Sequence, residues 1–506
     1  MKSLSSSALA SLLAQLSGAL GLILSTPVFI AYLGPEAYGL LGVLTTVQAL
    51  IVLMDLGVST ALMRETARNQ SSGQSVGSYG SFFRLVILFA LAGAALIALI
   101  AVAGADYIAV NWLNAEQLPL VIVGQCLLAI LLGLAFRWLS SFPRAVGLGI
   151  GWVGRVSCIV ILMNALRYGL ACLLLMGEAL SLSSFFWFQA GVAALETLAL
   201  TGLVWRRTPR PLFGRINLGG LLPELRTSAA LSAAVLMWIA SSQLDRVLLS
   251  GLLPLREFGH FMLGVTLASG VTILLGPLGS VLIPVLTALN TKGNHSQLRI
   301  VYFDALALAA VAASAIGVTL MFFADEVILL WLGNARPSGD IVASVTFWYT
   351  LGNTALVIGS LPYYLQVARA GLRYHLWGTA FSSVILIPAV ILLVISMGAL
   401  GAAYAWAAVN VLMLGWSLYV TERLMGNLSV RAWGLAVGVP VLTVVAVAYT
   451  VDHFLVIPGE RLMALLTLMG VGCVIGVAGL AASWLAHRLN ARLIESTADR
   501  NGVQSG

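Results

Sequence analysis

The amino-acid sequence predicts an all-α polytopic membrane protein with about 14 transmembrane helices. The 506 residues are 60% hydrophobic and 9% charged, with a mean hydropathy of +1.01, whereas soluble domains carry about 25% charged residues. Fourteen separate stretches are long and apolar enough to span a bilayer, which takes about 20 residues each. Lys and Arg are also concentrated in every second loop between these stretches, as expected when the loops alternate between the two sides of a membrane. These observations exclude a soluble globular enzyme and a disordered chain.

The predicted spans are helical because an open sheet edge cannot satisfy its backbone hydrogen bonds in lipid. The first is longer than the apolar core of a signal peptide, about 7–15 residues, so we expect it to remain as a spanning helix. The four cysteines lie singly within apolar stretches, which indicates buried thiols rather than disulfides or metal ligands. The predicted spans are 8–33, 38–62, 84–104, 118–139, 151–176, 184–205, 227–253, 259–285, 301–323, 341–366, 374–396, 400–421, 432–450 and 462–486.

The basic residues predict the orientation of the spans. With the N-terminus in the cytoplasm, 21 of the 26 Lys and Arg residues fall on the cytoplasmic side. Four fall on the outer side, namely Arg167, Arg256, Arg336 and Arg461. A missing or additional span would reverse this alternation downstream. We therefore predict cytoplasmic N- and C-termini, and the net charge of +7 indicates topology rather than a nucleic-acid partner.

Three short motifs recur at an offset of 219 or 220 residues, which indicates an internal repeat. They pair 33–39 with 253–259, 106–113 with 325–332, and 142–143 with 361–362. A six-helix repeat puts both copies in the same orientation, an arrangement typical of transporters with a substrate site near the midplane. We predict an N-terminal six-helix lobe (1–205), a cytoplasmic Arg-rich linker (206–226), a C-terminal six-helix lobe (227–421), and helices 13 and 14 with a cytoplasmic tail (422–506).

Charged residues inside the spans are candidates for a transport cavity. A charge near the centre of a membrane helix costs about 2.5–3.5 kcal/mol on insertion scales, so it needs a partner or water. Buried structural pairing is the alternative for the acids, and the orientation signal itself is the alternative for arginines at helix ends. The candidates inside the spans are Asp245, Arg246, Asp55 and Glu196, and the candidates that end helices on the cytoplasmic side, where a substrate would enter, are Arg64, Arg137 and Arg155.

The sequence lacks the motifs of common enzymes. Residues 149–154 spell GxGxxG, but they join two membrane helices and follow no strand, so we reject a dinucleotide site. There is no Walker motif, no HExxH, no nucleophile constellation and no histidine pair with ligand spacing. We expect no catalytic residue, metal or cofactor, and leave H⁺ or Na⁺ open as the coupling ion.

Several of these motifs resemble the polysaccharide-transporter branch of the multidrug/oligosaccharidyl-lipid/polysaccharide flippase superfamily, which includes O-antigen and exopolysaccharide flippases. They are 33–39 leading to Asp55 and Arg64, Asp245-Arg246 ahead of 257–259, and 324–333, and the likeness covers about residues 8–421. The resemblance implies two six-helix lobes around a V-shaped central cavity. It also implies alternating access that moves an undecaprenyl-pyrophosphate-linked glycan to the outer leaflet of the bacterial inner membrane. The predicted number of spans, fourteen, departs from the twelve of many polysaccharide transporters and is similar to that of the lipid II flippase branch.

The resemblance also defines the partners and the alternatives. The expected partners are the lipid-linked oligosaccharide, membrane lipids, and polysaccharide polymerase or assembly proteins. An ion-coupled multidrug exporter of the same superfamily is the first alternative, since a fold does not determine a function. A membrane glycosyltransferase or polymerase is the second, although it would require a larger outer loop carrying acidic residues.

Overall fold

The computed structural model describes residues 2–55, 57–72, 76–209, 222–333, 340–426, 429–455, 457–458 and 461–503. These residues form helices and no strand, with one isolated bridge between Asn114 and Pro254. The helices are α1 Lys2–Leu33, α2 Pro35–Asp55, α3 Val58–Ser72, α4 Val76–Asn111, α5 Leu120–Gly149, α6 Val153–Met176, α7 Leu182–Val204, α8 Leu222–Leu252, α9 Leu255–Thr291, α10 His295–Phe322, α11 Ala324–Leu332, α12 Ile341–Ala368, α13 Arg373–Met397, α14 Ala399–Met425, α15 Val430–Phe454 and α16 Arg461–Val503.

The predicted all-α membrane fold is confirmed. Within the described residues, 13 helical stretches are long and apolar enough to cross a membrane. Each coincides with one predicted span, and the remaining prediction, 227–253, coincides with α8. Most of the predicted linker, 206–226, lies outside the described residues.

The second predicted span, 38–62, ends earlier than expected. Its helix, α2, ends at Asp55, and Gly57 has a φ of +77°, a conformation that side chains disfavour. The Asp55 carboxylate accepts hydrogen bonds from the Ser59 backbone N–H at 3.2 Å and the Ser59 hydroxyl at 2.7 Å. This contact caps α3. The predicted span is therefore two helices, with a break between Asp55 and Val58.

The chain divides into two compact units, Met1–Met262 and Leu263–Gly506. In the first, α5 packs against α4 and α7, and Trp138 donates a hydrogen bond to the Ala90 carbonyl at 2.8 Å within a buried core. In the second, α10 and α14 pack against α12. Helices α15 and α16, which correspond to predicted spans 13 and 14, pack on α10 through a core that includes Val318 and Ile475.

Two copies of the repeated motif contact each other within the first unit. A Cβ atom on Gly39 would overlap the Leu255 carbonyl oxygen, and one on Gly259 would overlap the Pro35 carbonyl oxygen. Each member of the first contact lies 220 residues from its counterpart in the second, Gly39 from Gly259 and Leu255 from Pro35, so the two contacts are equivalent. The first turns of α2 and α9, both in the first unit, therefore lie so close together that only glycine fits at these positions.

Glu36, the acidic residue of the first motif, has hydrogen-bond partners that explain its place there. Its carboxylate is 3% exposed and accepts hydrogen bonds from the backbone N–H groups of Glu116, Gln117 and Leu118 at 2.7–3.1 Å. Three backbone donors compensate a buried charge that would otherwise be costly. The motif thus holds the loop that follows α4, a structural role.

Candidate functional site

A cavity of about 480 Å³ lies among five helices of the first unit, α2, α3, α5, α6 and α7. Its charged lining residues are three arginines and one glutamate, which leaves an excess of positive charge. Hydroxyl and amide groups complete the polar part of the lining. The charged residues are Arg137, Arg144, Arg167 and Glu196, and the uncharged polar residues are Gln48, Ser59, Thr60, Ser140, Ser141 and Asn164.

Helix α5 contributes the largest share of the polar lining. Arg137, Ser140, Ser141, Arg144 and Leu148 all line the cavity. Their spacing of three or four residues puts them on one face of a helix. The opposite face of α5 carries buried apolar residues that pack in the core of the unit. One helix thus supplies both packing and the cations of the site.

Glu196 binds two of the arginines. Its carboxylate forms an ion pair with Arg167 at 3.0 Å and a second, shorter one with Arg144. The side chains of Glu196 and Arg167 are only 4% and 7% exposed, whereas that of Arg144 is 39% exposed. The Arg167–Glu196 pair is therefore the buried base of the site, and Arg144 extends from it into the cavity.

Arg167 lies in a π-helical segment of α6, Ala165–Leu170. Its guanidinium also donates to the Asn164 side-chain oxygen at 3.2 Å, and Gln189 donates to its backbone carbonyl at 2.9 Å. A π-helical turn is rare in proteins and often occurs at a functional site. Arg167 is buried within the helix that corresponds to the span 151–176, and its assignment to the outer side stays a prediction.

Arg137 is the third cation of the cavity. Among the described residues, no carboxylate oxygen lies within 4 Å of its guanidinium. A buried or half-buried arginine without a counter-ion carries a desolvation penalty that a bound anion would relieve. This arrangement favours an anionic ligand beside Arg137 and Arg144.

The structure brings two of the predicted site residues, Arg137 and Glu196, to this cavity. Asp55 does not line it but caps α3 through Ser59, which does. Arg64 is exposed on α3, and Arg155 is exposed with its guanidinium 4.8 Å above the Trp152 ring. Their participation in transport stays a prediction.

Asp245 and Arg246 lie on α8 and do not line this cavity. Asp245 is buried and accepts a hydrogen bond from the Arg246 backbone N–H at 2.7 Å. The Arg246 guanidinium donates to the Gln243 side-chain oxygen, also at 2.7 Å. Their role in transport also stays a prediction.

Sequence reasoning missed Arg144 and Arg167 as site residues, because the orientation rule assigns both to membrane surfaces. The signals were available: Arg167 lies inside the predicted span 151–176, and Arg144 follows Arg137 by seven residues, two helical turns. Among the described residues, no group of three His, Cys, Asp or Glu side chains could hold a metal ion. The charged lining residues of the cavity carry a net positive charge.

Comparison with known proteins identifies the fold and the family. The lipid II flippase MurJ in an inward closed conformation matches with a TM-score of 0.67 at 12% identity, over 94% of this chain and 98% of that chain. An inward-facing multidrug resistance MATE family transporter of the MOP superfamily matches with a TM-score of 0.61 at 16% identity, over 82% and 98%. A point mutant of the Vibrio cholerae MATE transporter VcmN matches with a TM-score of 0.57 at 16% identity, over 85% and 99%.

A search of curated protein sequences gave no significant match. A sequence model of the family described as polysaccharide biosynthesis protein matches residues 31–336, more than half of the chain. This match agrees with the resemblance carried by the motifs at 33–39 and 253–259. The chain therefore belongs to the polysaccharide biosynthesis protein family and has the fold of the multidrug/oligosaccharidyl-lipid/polysaccharide flippase superfamily.

Proposed function

We propose that the protein is a flippase that moves an undecaprenyl-pyrophosphate-linked oligosaccharide across the bacterial inner membrane for cell-surface polysaccharide biosynthesis, by alternating access. The observation that carries this proposal is the excess of arginine in a cavity among membrane helices. Three arginines face one glutamate there, and that glutamate is already paired. Such a site attracts an anion and repels the cationic compounds that many multidrug exporters carry.

The charge of the proposed substrate fits the charge of the cavity. A glycosyl pyrophosphate lipid carries two phosphates, each with one negative charge. The four charged lining residues leave a surplus of two positive charges. Arginine is suited to phosphate because its planar guanidinium forms two parallel hydrogen bonds. We propose that Arg137 and Arg144 bind the pyrophosphate.

The uncharged lining residues suit the first sugar. Ser59, Thr60, Ser140, Ser141 and Asn164 present hydroxyl and amide groups to the cavity. Such groups both donate and accept hydrogen bonds, as sugar hydroxyls do. The isoprenoid tail would remain in the surrounding lipid, because its transfer into a polar cavity is unfavourable.

Glu196 supplies Arg144 with an anionic partner when no substrate is bound. In the proposed cycle, the pyrophosphate replaces Glu196 as the partner of Arg144, while the buried Arg167–Glu196 pair persists. When the substrate leaves, Arg144 returns to Glu196. This exchange keeps Arg144 paired in both states and so lowers the cost of release.

The test is complementation of a strain that lacks the gene. Deletion should abolish a surface polysaccharide while its lipid-linked repeat unit accumulates on the cytoplasmic face. Arg137→Gln and Arg144→Gln should each reduce the restored glycan by about tenfold or more, the equivalent of a lost charge-assisted hydrogen bond. Arg207→Gln, an exposed arginine over Trp152 and outside the cavity, should stay within about twofold of wild type.

Protein amounts in the membrane, measured by immunoblot, separate transport from folding. Equal glycan from cavity and control variants at equal protein would contradict the proposed site. Normal surface glycan in the deletion strain, together with new sensitivity to cationic dyes, would instead favour the multidrug exporter.

A further inference from the structure

Two exposed arginines flank two tyrosines where α13 begins and α14 ends. The Arg373 guanidinium lies 5.0 Å from the Tyr374 ring centroid and donates to its hydroxyl at 3.2 Å. The Arg423 guanidinium lies 5.2 Å from the Tyr419 ring centroid and donates to its hydroxyl at 3.1 Å. The two tyrosine rings are 6.5 Å apart. These four residues, the arginine–tyrosine row, link the ends of two helices.

The row carries two positive charges and, among the described residues, forms no ion pair, although the Glu422 carboxylate lies near enough to Arg423 to interact with its charge. Among the described residues, neither guanidinium has a carboxylate oxygen within 4 Å. Each uses one N–H for a tyrosine, and a guanidinium has five. The tyrosine contacts hold both side chains in place, so a ligand would bind them at a reduced entropic cost.

Aromatic side chains continue from the row along α13 and α14, away from the helix ends that carry the two arginines. The Tyr419 ring lies 5.4 Å from the Trp416 ring, which lies 6.2 Å from the Phe381 ring. Phe381 and Trp377 are 46% and 66% exposed. Phe381 follows Arg373 by eight residues, which is about 12 Å along a helix. The two arginines thus lie at one end of a surface, and aromatic side chains cover the part of that surface next to them.

We propose that the arginine–tyrosine row binds the head group of an anionic phospholipid, whose acyl chains lie along Trp377, Trp416 and Phe381. Arginines beside aromatic residues at the end of a membrane span match the phosphate and the interfacial region of a lipid. The charge distribution of the sequence predicts that this site faces the cytoplasmic leaflet. The proposal does not depend on the flippase activity proposed above.

The test measures lipid retention by the purified full-length protein. Wild type and variants in mild detergent are titrated with cardiolipin, and bound lipid is counted by native mass spectrometry. We expect Arg373→Gln and Arg423→Gln each to weaken binding about fivefold, and the double variant about thirtyfold. The matched control is Arg488→Gln, because Arg488 is an exposed arginine 3.6 Å above the Trp484 ring, outside the row.

Thermal unfolding in the same detergent shows whether each variant is folded and whether lipid stabilises it. Cardiolipin should raise the Tm of wild type and of Arg488→Gln more than that of the double variant. Equal weakening by the double variant and by Arg488→Gln would overturn the proposal. So would an equal Tm increase by glycerol phosphate, because that result would indicate a site for free phosphate without acyl chains.

Discussion

At the scale of single residues, the buried carboxylate of Glu196 is the most consequential group in the first unit. It neutralises Arg167 directly and Arg144 in part. Removing one partner of a buried ion pair leaves the other charge uncompensated in a medium that solvates it poorly. The same residue therefore controls both stability and the charge that the cavity offers to a ligand.

Glu196→Ala should lower the free energy of unfolding by about 3–5 kcal/mol, because it leaves Arg167 buried without its carboxylate. The measurement is a denaturant titration in mixed micelles. Asp304→Ala is the control, since Asp304 pairs with His487 at 2.5 Å and both side chains are more than 40% exposed. That control should cost less than about 1 kcal/mol. Similar losses in the two variants would show that Glu196 is not a buried charge partner.

Sequence analysis could identify Glu196 because a charge inside an apolar span is conspicuous, and Arg137 because it ends a predicted span on the cytoplasmic side, where the substrate would enter. It could not pair Glu196 with Arg167, because the two residues lie on different helices, α7 and α6. Arg167 also lies in a π-helical segment, which no local sequence pattern predicts. It also could not separate Arg144, a cavity residue, from an arginine that marks the cytoplasmic side. Ion-pair partners depend on helix packing, which a hydropathy pattern does not encode.

At the scale of helices, spans were predictable and their ends were not. Length and apolar content determine where a helix can cross a bilayer, and each predicted span has a helical counterpart. The end of α2 depends instead on the positive φ of Gly57 and on the hydrogen bonds from Ser59 to Asp55. Both signals lie inside an apolar run, where hydropathy alone favours a continuous helix.

The contact between the first turns of α2 and α9 should tolerate no side chain at its two glycines. Gly39→Ala and Gly259→Ala should each lower the free energy of unfolding by about 1–3 kcal/mol, since each Cβ would overlap a carbonyl oxygen. Gly191→Ala on α7 is the control, because a Cβ there meets nothing within 4 Å.

Denaturant titration of the three variants checks this expectation. Because the two contacts are equivalent, the losses at Gly39 and Gly259 should be similar, and the double variant should lose less than their sum. A control variant as unstable as the other two would contradict the close contact at Gly39 and Gly259.

At the scale of the whole molecule, charge asymmetry predicts the topology. Reporters fused after residue 220 and after the C-terminal tail should indicate the cytoplasm, and one fused after Asp452 should indicate the outside. The reason is that 21 of the 26 basic residues fall on one side when both termini are cytoplasmic. Alkaline phosphatase and fluorescent-protein fusions measure the two sides independently. A periplasmic signal after residue 220 would refute the span count.

The paired contacts at Gly39 and Gly259 also bear on the ancestry of the molecule. Each motif copy packs against the other through equivalent positions, Gly39 against Leu255 and Gly259 against Pro35. A contact of this kind is self-complementary, as in a twofold homodimer. An ancestral chain half as long, with one copy of the motif, would have had a surface able to join two identical molecules. Gene duplication and fusion would then have made that pairing covalent while leaving its geometry intact.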